Sequence, residues 1–370
     1  MFTVEKLFMP GRIFNFSAGP AVMPLPVLEK AKDELLSLNG IGMSIMEISH
    51  RSDQFLAVLD AAETGLRDLL GVPNNYRILF LQGGASLQFS MVPINFLAQD
   101  KSADYILTGA WGKKAIQEAQ RCGRVNVIYT SEADRFSTVP AQEELRISSN
   151  AAYLHYTSNE TIDGVEFKYD LEGDGTPVIC DASSNILSKP IDIEKYDLIY
   201  AGAQKNIGPS GVTVVIVRDD MIDRVPKGGH SLLDYRHIAE NGSMANTPNT
   251  WGIYLIGLVC EWLKDQGGVA GIEKKNIEKA AILYDAIDSS DGYYSGFAAR
   301  DVRSVMNVTF RLPSGELDEK FVSEAESAGL SGLKGHRSVG GIRASIYNAF
   351  PKEGVEALVE FMNDFSHNNS

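Results

Sequence analysis

Cysteine is scarce. The 370 residues contain only Cys122, Cys180 and Cys260. They are widely spaced, form no CxxC pair and leave one over, which argues against a disulfide framework or a zinc knuckle and for a reducing compartment such as the cytoplasm. Positive charge is also short: 34 Lys and Arg face 48 Asp and Glu, a formal charge of −14. That balance excludes a general nucleic-acid or anionic-membrane binder, which needs a basic footprint. Long apolar runs are missing too. The longest uncharged one, Trp251 to Cys260, is closed by Glu261 and falls well short of the ~18 residues that span a bilayer. Charged residues interrupt MFTVEKLFMPGRIFNFSAGP where an export signal would need its apolar block, so none is expected. Neither GxGxxG nor a Walker A pattern occurs, which makes dinucleotides and nucleoside triphosphates a poor fit. No metal site is expected.

What is present is a large core. Hydrophobic residues make up 44% of the chain, and the length suggests roughly two domains. Helical periodicity covers 26–38 and 53–70, the second with Ser52 as N-cap and Gly71 and Pro73 as its stop. Seven short apolar runs follow, at 77–81, 104–108, 125–130, 152–156, 177–181, 197–203 and 212–217. Such runs predict buried strands of a mostly parallel α/β sheet. The stretch NTPNTWGIYLIGLVCEWLKDQGG predicts a buried helix ended by Gly267 and Gly268. Beyond it come a charged helix, strands at 305–310 and 341–347, a helix over about 318–328 and a last helix opened by Pro351. We therefore expect a large domain over 22–267 and a smaller α+β domain formed by 1–21 and 268–370.

Chemistry concentrates at the ends of the predicted strands. In YDLIYAGAQKNIGPSGV, Lys205 follows an apolar strand and precedes Gly208, Pro209 and Gly211, which puts it at the carboxyl edge of a sheet, where α/β proteins bind ligands. A desolvated lysine there loses proton affinity and becomes a nucleophile toward carbonyls. Asp181 ends the preceding strand, one crossover upstream. Beside a lysine that forms a Schiff base, it could pair with a protonated pyridine nitrogen. In LFLQGGASLQF, small residues at Gly83, Gly84 and Ala85, together with Ser86, let amide groups approach a phosphate at a helix start. Trp111 follows another strand and offers a stacking surface. His50 and Arg51, His336 and Arg337, and Arg343 are cations near glycines in an acidic chain, suited to a small multiply charged anion.

NFSAGP, ISHRS, QGGAS, TGAW, SNETIDG, DASS, AGAQKNIGPSG, NTPNTW and GHRSVGGIRASIYNA occur in order from about residue 12 to the end. Together they make the chain resemble the phosphoserine aminotransferase family of class V aminotransferases. The resemblance implies the fold-type I architecture of pyridoxal 5′-phosphate enzymes, a homodimer with its sites at the subunit interface, and a role in serine biosynthesis. It implies transfer of an amino group from L-glutamate to 3-phosphohydroxypyruvate, giving O-phosphoserine and 2-oxoglutarate. A second substrate, 4-phosphohydroxy-L-threonine of vitamin B6 synthesis, is left open. By the same resemblance Lys205 is the Schiff-base lysine, Asp181 the partner of the pyridine nitrogen and Trp111 the stacking ring. Ala85, Ser86, Thr161 and Gln204 would hold cofactor oxygens, and Asn246 and Thr247 would reach the cofactor phosphate of the other subunit. Arg343 and Arg51, assisted by His50, His336 and Arg337, would bind substrate carboxylate or phosphate. One departure stands out: some members carry arginine where this chain has Ser86. Two alternatives stay open here, another class V enzyme such as a cysteine desulfurase or an alanine–glyoxylate aminotransferase, and a noncatalytic binding protein on the same scaffold.

Overall fold

The computed structural model describes residues 12–369; the first 11 residues of the expected 1–21 segment, and Ser370, lie outside them. Strand β1 (Phe14–Asn15) precedes helices α1 (Leu25–Asp33) and α2 (Asp53–Leu70). Strands and helices then alternate through β2 (Tyr76–Leu81), α3 (Gly84–Phe96), β3 (Ser102–Leu107), α4 (Ala110–Ala119) and β4 (Arg124–Thr130). Next come β5 (Ala151–Thr157) and a small hairpin of β6 (Asn159–Glu160) and β7 (Val165–Glu166). The strands β8 (Val178–Asp181), β9 (Leu198–Gly202) and β10 (Thr213–Arg218) follow. Helices α5 (Asp219–Arg224), α6 (Tyr235–Glu240), α7 (Thr250–Asp265) and α8 (Gly268–Asp288) lead into the last part. That part holds β11 (Ser295–Gly296), β12 (Asn307–Arg311), α9 (Gly315–Ser327), β13 (Leu330–Ser331), β14 (Ile342–Ser345) and α10 (Lys352–Asn368).

All seven expected runs are strands of one sheet, ordered β2-β10-β9-β8-β5-β3-β4. Only β10 runs against its neighbours, β2 and β9; the other pairings are parallel. Their continuous apolarity has a plain cause: alternate residues enter two separate cores. Ile199 and Ala201 of β9 join the core packed by α2 and α7, whereas Leu198 and Tyr200 join the one packed by α3 and α4. Strand β4 departs from the expectation of burial. It closes one edge of the sheet, and most of its residues are exposed or half-buried.

Helix α1 is shorter than its periodicity, ending at Asp33 rather than Leu38. There the Ser37 hydroxyl accepts the Gly42 amide at 2.8 Å, a local bond that competes with the helix. In contrast, α2 begins and ends as read: Ser52 Oγ accepts from the Phe55 amide at 3.4 Å, and Gly71 closes the helix in the left-handed region. A third core collects Phe14 and Phe16 with residues of α8, α9, α10, β12 and β14, and β1 pairs in parallel with β13.

Candidate active site

Because β10 is antiparallel to both neighbours, Leu81 and Gly202 come level with its Thr213 at one edge of the sheet. Thr157 of β5 lies beside Asp181 of β8 at that same carboxyl edge. A cavity of about 350 Å³ opens there, lined by Ala85, Ser86, Trp111, Thr161, Asp181, Gln204, Lys205, His336 and Arg343 among others. The topology thus gathers residues from across 325 positions of sequence, 18 to 343, into one space.

Lys205 lies three residues past the end of β9, and its Nζ donates to Thr161 Oγ1 at 2.7 Å. Burial pulls its amine down to about 8, with Arg343 adding to the effect and the carboxylates of Asp181 and Glu160 opposing it. Asp181 is buried, and its Oδ1 accepts from the Ser183 amide at 2.9 Å and the Ser183 hydroxyl at 2.6 Å. Burial raises this carboxyl, while the Ser183 bonds and the Lys205 charge favour its ionised form.

At the start of α3, Gly83 and Gly84 adopt positive φ of 90° and 66°. The first helical bond runs from Leu87 to Gly83 at 3.3 Å, so the amides of Gly84, Ala85 and Ser86 precede it and carry no intrahelical acceptor. No acidic side chain occupies that first turn. Trp111 begins α4, and its buried Nε1 has no partner. Arg343, on β14, donates through Nη1 to the Thr161 carbonyl at 3.5 Å, and its buried Nε is likewise unpartnered.

The remaining expected residues stand elsewhere. His336 lines the cavity, its Nδ1 2.7 Å from Ser338 Oγ, and burial plus the charges of Arg343, Lys114 and Arg337 lower its proton affinity. Arg337 and Arg51 are exposed, and neither they nor His50 line the cavity. Asn246 and Thr247 are exposed as well; Asn246 borders a neighbouring, largely apolar cavity with Gly83 and Leu232, and the Thr247 carbonyl accepts from Gln82 at 3.0 Å.

Three residues of the site escaped the sequence reading: Ser183, which holds Asp181, and Glu160 and Asp163, which flank Thr161. All three are buried. The available signal was the SNETIDG stretch itself, whose two carboxylates bracket the one residue singled out.

The cysteines offer nothing to a desulfurase. Burial pushes the Cys180 and Cys260 thiols up to about 12, and none of the three lines the cavity.

The family model for class-V aminotransferases matches residues 13–358. A phosphoserine aminotransferase of Listeria innocua is 56% identical over 358 residues, which cover 96% of this chain and 97% of that protein. The solved structure of the phosphoserine aminotransferase from Bacillus circulans subsp. alkalophilus matches with a TM-score of 0.96 at 50% identity, covering 97% of this chain and 99% of that one. A phosphoserine aminotransferase from Trichomonas vaginalis, solved with pyridoxal phosphate bound, gives 0.90 at 43% identity, covering 95% and 100%. The mostly parallel seven-stranded sheet and these likenesses agree with the fold-type I architecture expected from the sequence. By sequence along nearly its whole length and by fold, the chain belongs to the class-V aminotransferases, among the phosphoserine aminotransferases.

Proposed function

We propose that the chain is a pyridoxal 5′-phosphate enzyme that transfers the amino group of L-glutamate to 3-phosphohydroxypyruvate, yielding O-phospho-L-serine and 2-oxoglutarate for serine biosynthesis. The observation that carries this reading is the convergence of Lys205, Asp181, Trp111 and the open start of α3 on one cavity, in a chain more than half identical to a named phosphoserine aminotransferase.

The residues fit the cofactor. Asp181 uses Oδ1 for Ser183, and Oδ2 accepts no hydrogen bond among the described residues, which leaves it for a ring N–H. The amides of Gly84, Ala85 and Ser86, with the Ser86 hydroxyl, suit a phosphate dianion at a helix N-terminus. Gln204 and Thr161 also line the cavity and would supply polar atoms for ring oxygens. When bound, pyridoxal phosphate supplies a carbonyl for amine capture and a ring that accepts the electron pair left on a substrate α-carbon. Lys205 Nζ, its proton affinity lowered by burial to about 8, would take the α-proton and return it. Asp181 keeps the ring-nitrogen proton in place, Trp111 orients the ring by stacking, and Arg343 grips the α-carboxylate common to both substrates. His336, at the cavity, and the neighbouring Arg337 would assist in binding a substrate phosphate.

The reading extends to assembly. A homodimer would bring Asn246, Thr247, His50 and Arg51 of a second copy toward this cavity. Its support is the exposure of Asn246, Thr247 and Arg51 within one chain and the apolar residues Met43, Met46 and Leu232 exposed near them in sequence. We further assign 22–267 to a cofactor-binding domain and 1–21 with 268–370 to a second domain, on the ground that Phe14 and Phe16 share a core with α8 to α10. Three free thiols suit the cytoplasm, and no helix among the described residues is long and apolar enough to cross a membrane.

A half-reaction titration tests the function. Glutamate and phosphoserine should each convert the bound cofactor to its amino form, followed by absorbance, at concentrations where alanine does not. Equal conversion by alanine would overturn the substrate assignment.

A further inference from the structure

The proposed mechanism leaves one buried carboxyl, between the cavity-lining residues Asn159 and Thr161, without a task. Glu160 is fully buried, and its side chain reaches across 49 positions of sequence to α4, where Oε2 accepts the Trp111 amide at 3.0 Å and Oε1 the Gly112 amide at 2.8 Å. Three residues on, Asp163 is buried too, its carboxyl taking the Ala110 amide. Two carboxyl groups of one short turn therefore take up the first three amides of the helix that carries the stacking tryptophan.

The same turn holds the lysine, because Thr161 lies between the two acids and accepts Lys205 Nζ at 2.7 Å. Space for Glu160 is made by glycine on both sides of Trp111. A methyl group on Gly109 would lie 2.4 Å from Glu160 Cδ and 2.7 Å from Oε2, and one on Gly112 would lie 3.3 Å from Oε1. The spacing in TGAWG is thus a cradle for a distant carboxyl group. A helix cap alone would need one oxygen on a solvated surface; here a fully buried acid spans two amides at the residue on which a cofactor would stack.

We propose that Glu160 is a positioning residue: by gripping the Trp111 and Gly112 amides it fixes the plane of the indole relative to the turn that presents Thr161 to Lys205. The assignment rests on the cofactor reading above, and its test separates the two. Replacing Trp251 and Trp262 by Phe leaves Trp111 as the single fluorophore of the three tryptophans. In that background, Glu160→Ala should lower the fluorescence anisotropy of Trp111 in the cofactor-free protein and weaken pyridoxal phosphate binding about tenfold, the scale for losing hydrogen bonds to a buried carboxyl. Glu160→Gln, which keeps the shape and one acceptor oxygen, should fall between Ala and wild type. Gly109→Ala should weaken cofactor binding by a similar factor alone, yet add nothing once Glu160 is Ala, because the obstacle to its methyl group is gone.

Unchanged anisotropy and affinity in Glu160→Ala would overturn the proposal, as would a Gly109→Ala loss that adds in full to that of Glu160→Ala. A protein that unfolds as Glu160→Ala is decided by the Glu160→Gln and Gly109→Ala arms, where wild-type behaviour of both counts against the role. If the parent protein took up no pyridoxal phosphate, the function proposed above would fall, while the anisotropy comparison would still decide whether Glu160 holds the indole.

Discussion

The expected site residues fall into two groups built in different ways, an inner wall that lines the cavity and an outer rim that does not line it. On the inner wall, Lys205, Asp181, Thr161 and Trp111 are buried or half-buried and tied down by hydrogen bonds to Lys205 Nζ, Asp181 Oδ1 and the Trp111 amide. On the rim, Arg51, Arg337, Asn246 and Thr247 are exposed, and the Thr247 carbonyl alone has a side-chain donor from elsewhere among the described residues, Gln82. Within one chain, then, the residues proposed to hold a cofactor ring are held in place, whereas Arg51, Arg337, Asn246 and Thr247, proposed to meet anions, are exposed. The difference teaches where to look for what completes the rim, since preorganised sites require locked side chains and a second copy can supply the missing restraint.

The largest effect should come from separating the two halves by mutation. Lys205→Ala should reduce amino transfer at least about 10³-fold, since the residue that captures and shuttles protons is gone. Arg51→Ala should cost about 10²-fold if this arginine meets substrate. Mixed in equal amounts after dissociation, the two variants would, if the chain pairs as proposed, form hybrid dimers in which one site has Lys205 in its own chain and Arg51 in the other. Random pairing makes half of the dimers hybrids with one restored site of two, so about a quarter of wild-type activity should return. No recovery would place Arg51 at its own chain's site, or away from the site altogether, and the rim would need a different completion.

A smaller effect separates wall from rim within one chain. Arg343 is the one expected guanidinium that lines the cavity, half-buried and 3.5 Å from the Thr161 carbonyl. Arg343→Leu should raise KM for glutamate and for the keto acid by about ten- to a hundredfold, as expected for losing a charge-assisted bond to a carboxylate, and leave pyridoxal phosphate affinity within about twofold. If KM moved for one substrate only, the residue would recognise the phosphate or the distal carboxylate rather than the shared α-carboxylate.

The same contrast explains what could be read before the structure. The seven strands were legible because helices cover both faces of the sheet and most of its positions are apolar; β4, at one edge, misled in burial, although the opposite edge strand β2 is almost wholly buried. The early end of α1 was hidden by Leu35, Leu36 and Leu38, which continue the helical period while Ser37 diverts the backbone. Lys205 and Asp181 were recognisable as candidates because Asp181 ends one apolar strand and Lys205 stands three residues past another. Glu160 was not, since its amide partners are brought to it by the fold from as far as 49 residues away; Ser183 was not, because its bond to Asp181, two residues off, is a local turn contact with no sequence signature of its own. Rim residues were recognisable as cations and amides, but a single sequence carries no sign of which chain they serve.

The mildest prediction concerns pH and the wall alone. Only the neutral amine of Lys205 can attack a carbonyl, and burial sets its proton affinity at about 8 against an ordinary 10.5. Below that value the neutral fraction rises about tenfold per pH unit, and above it the fraction saturates. Capture of pyridoxal phosphate by the cofactor-free enzyme, followed by absorbance in stopped flow, should accelerate about tenfold between pH 6 and 7 and level off above about 8. Asp181 and Glu160 both hold the amine's affinity up, whereas Arg343 pushes it down. Asp181→Asn should therefore shift the midpoint to lower pH, and Arg343→Leu should shift it to higher pH. Opposite signs in these two variants would locate the control of Lys205 in the wall; a midpoint that stayed near 10 in the wild type would mean that the amine is solvated, and the contrast between a locked wall and an open rim would fail at its central residue.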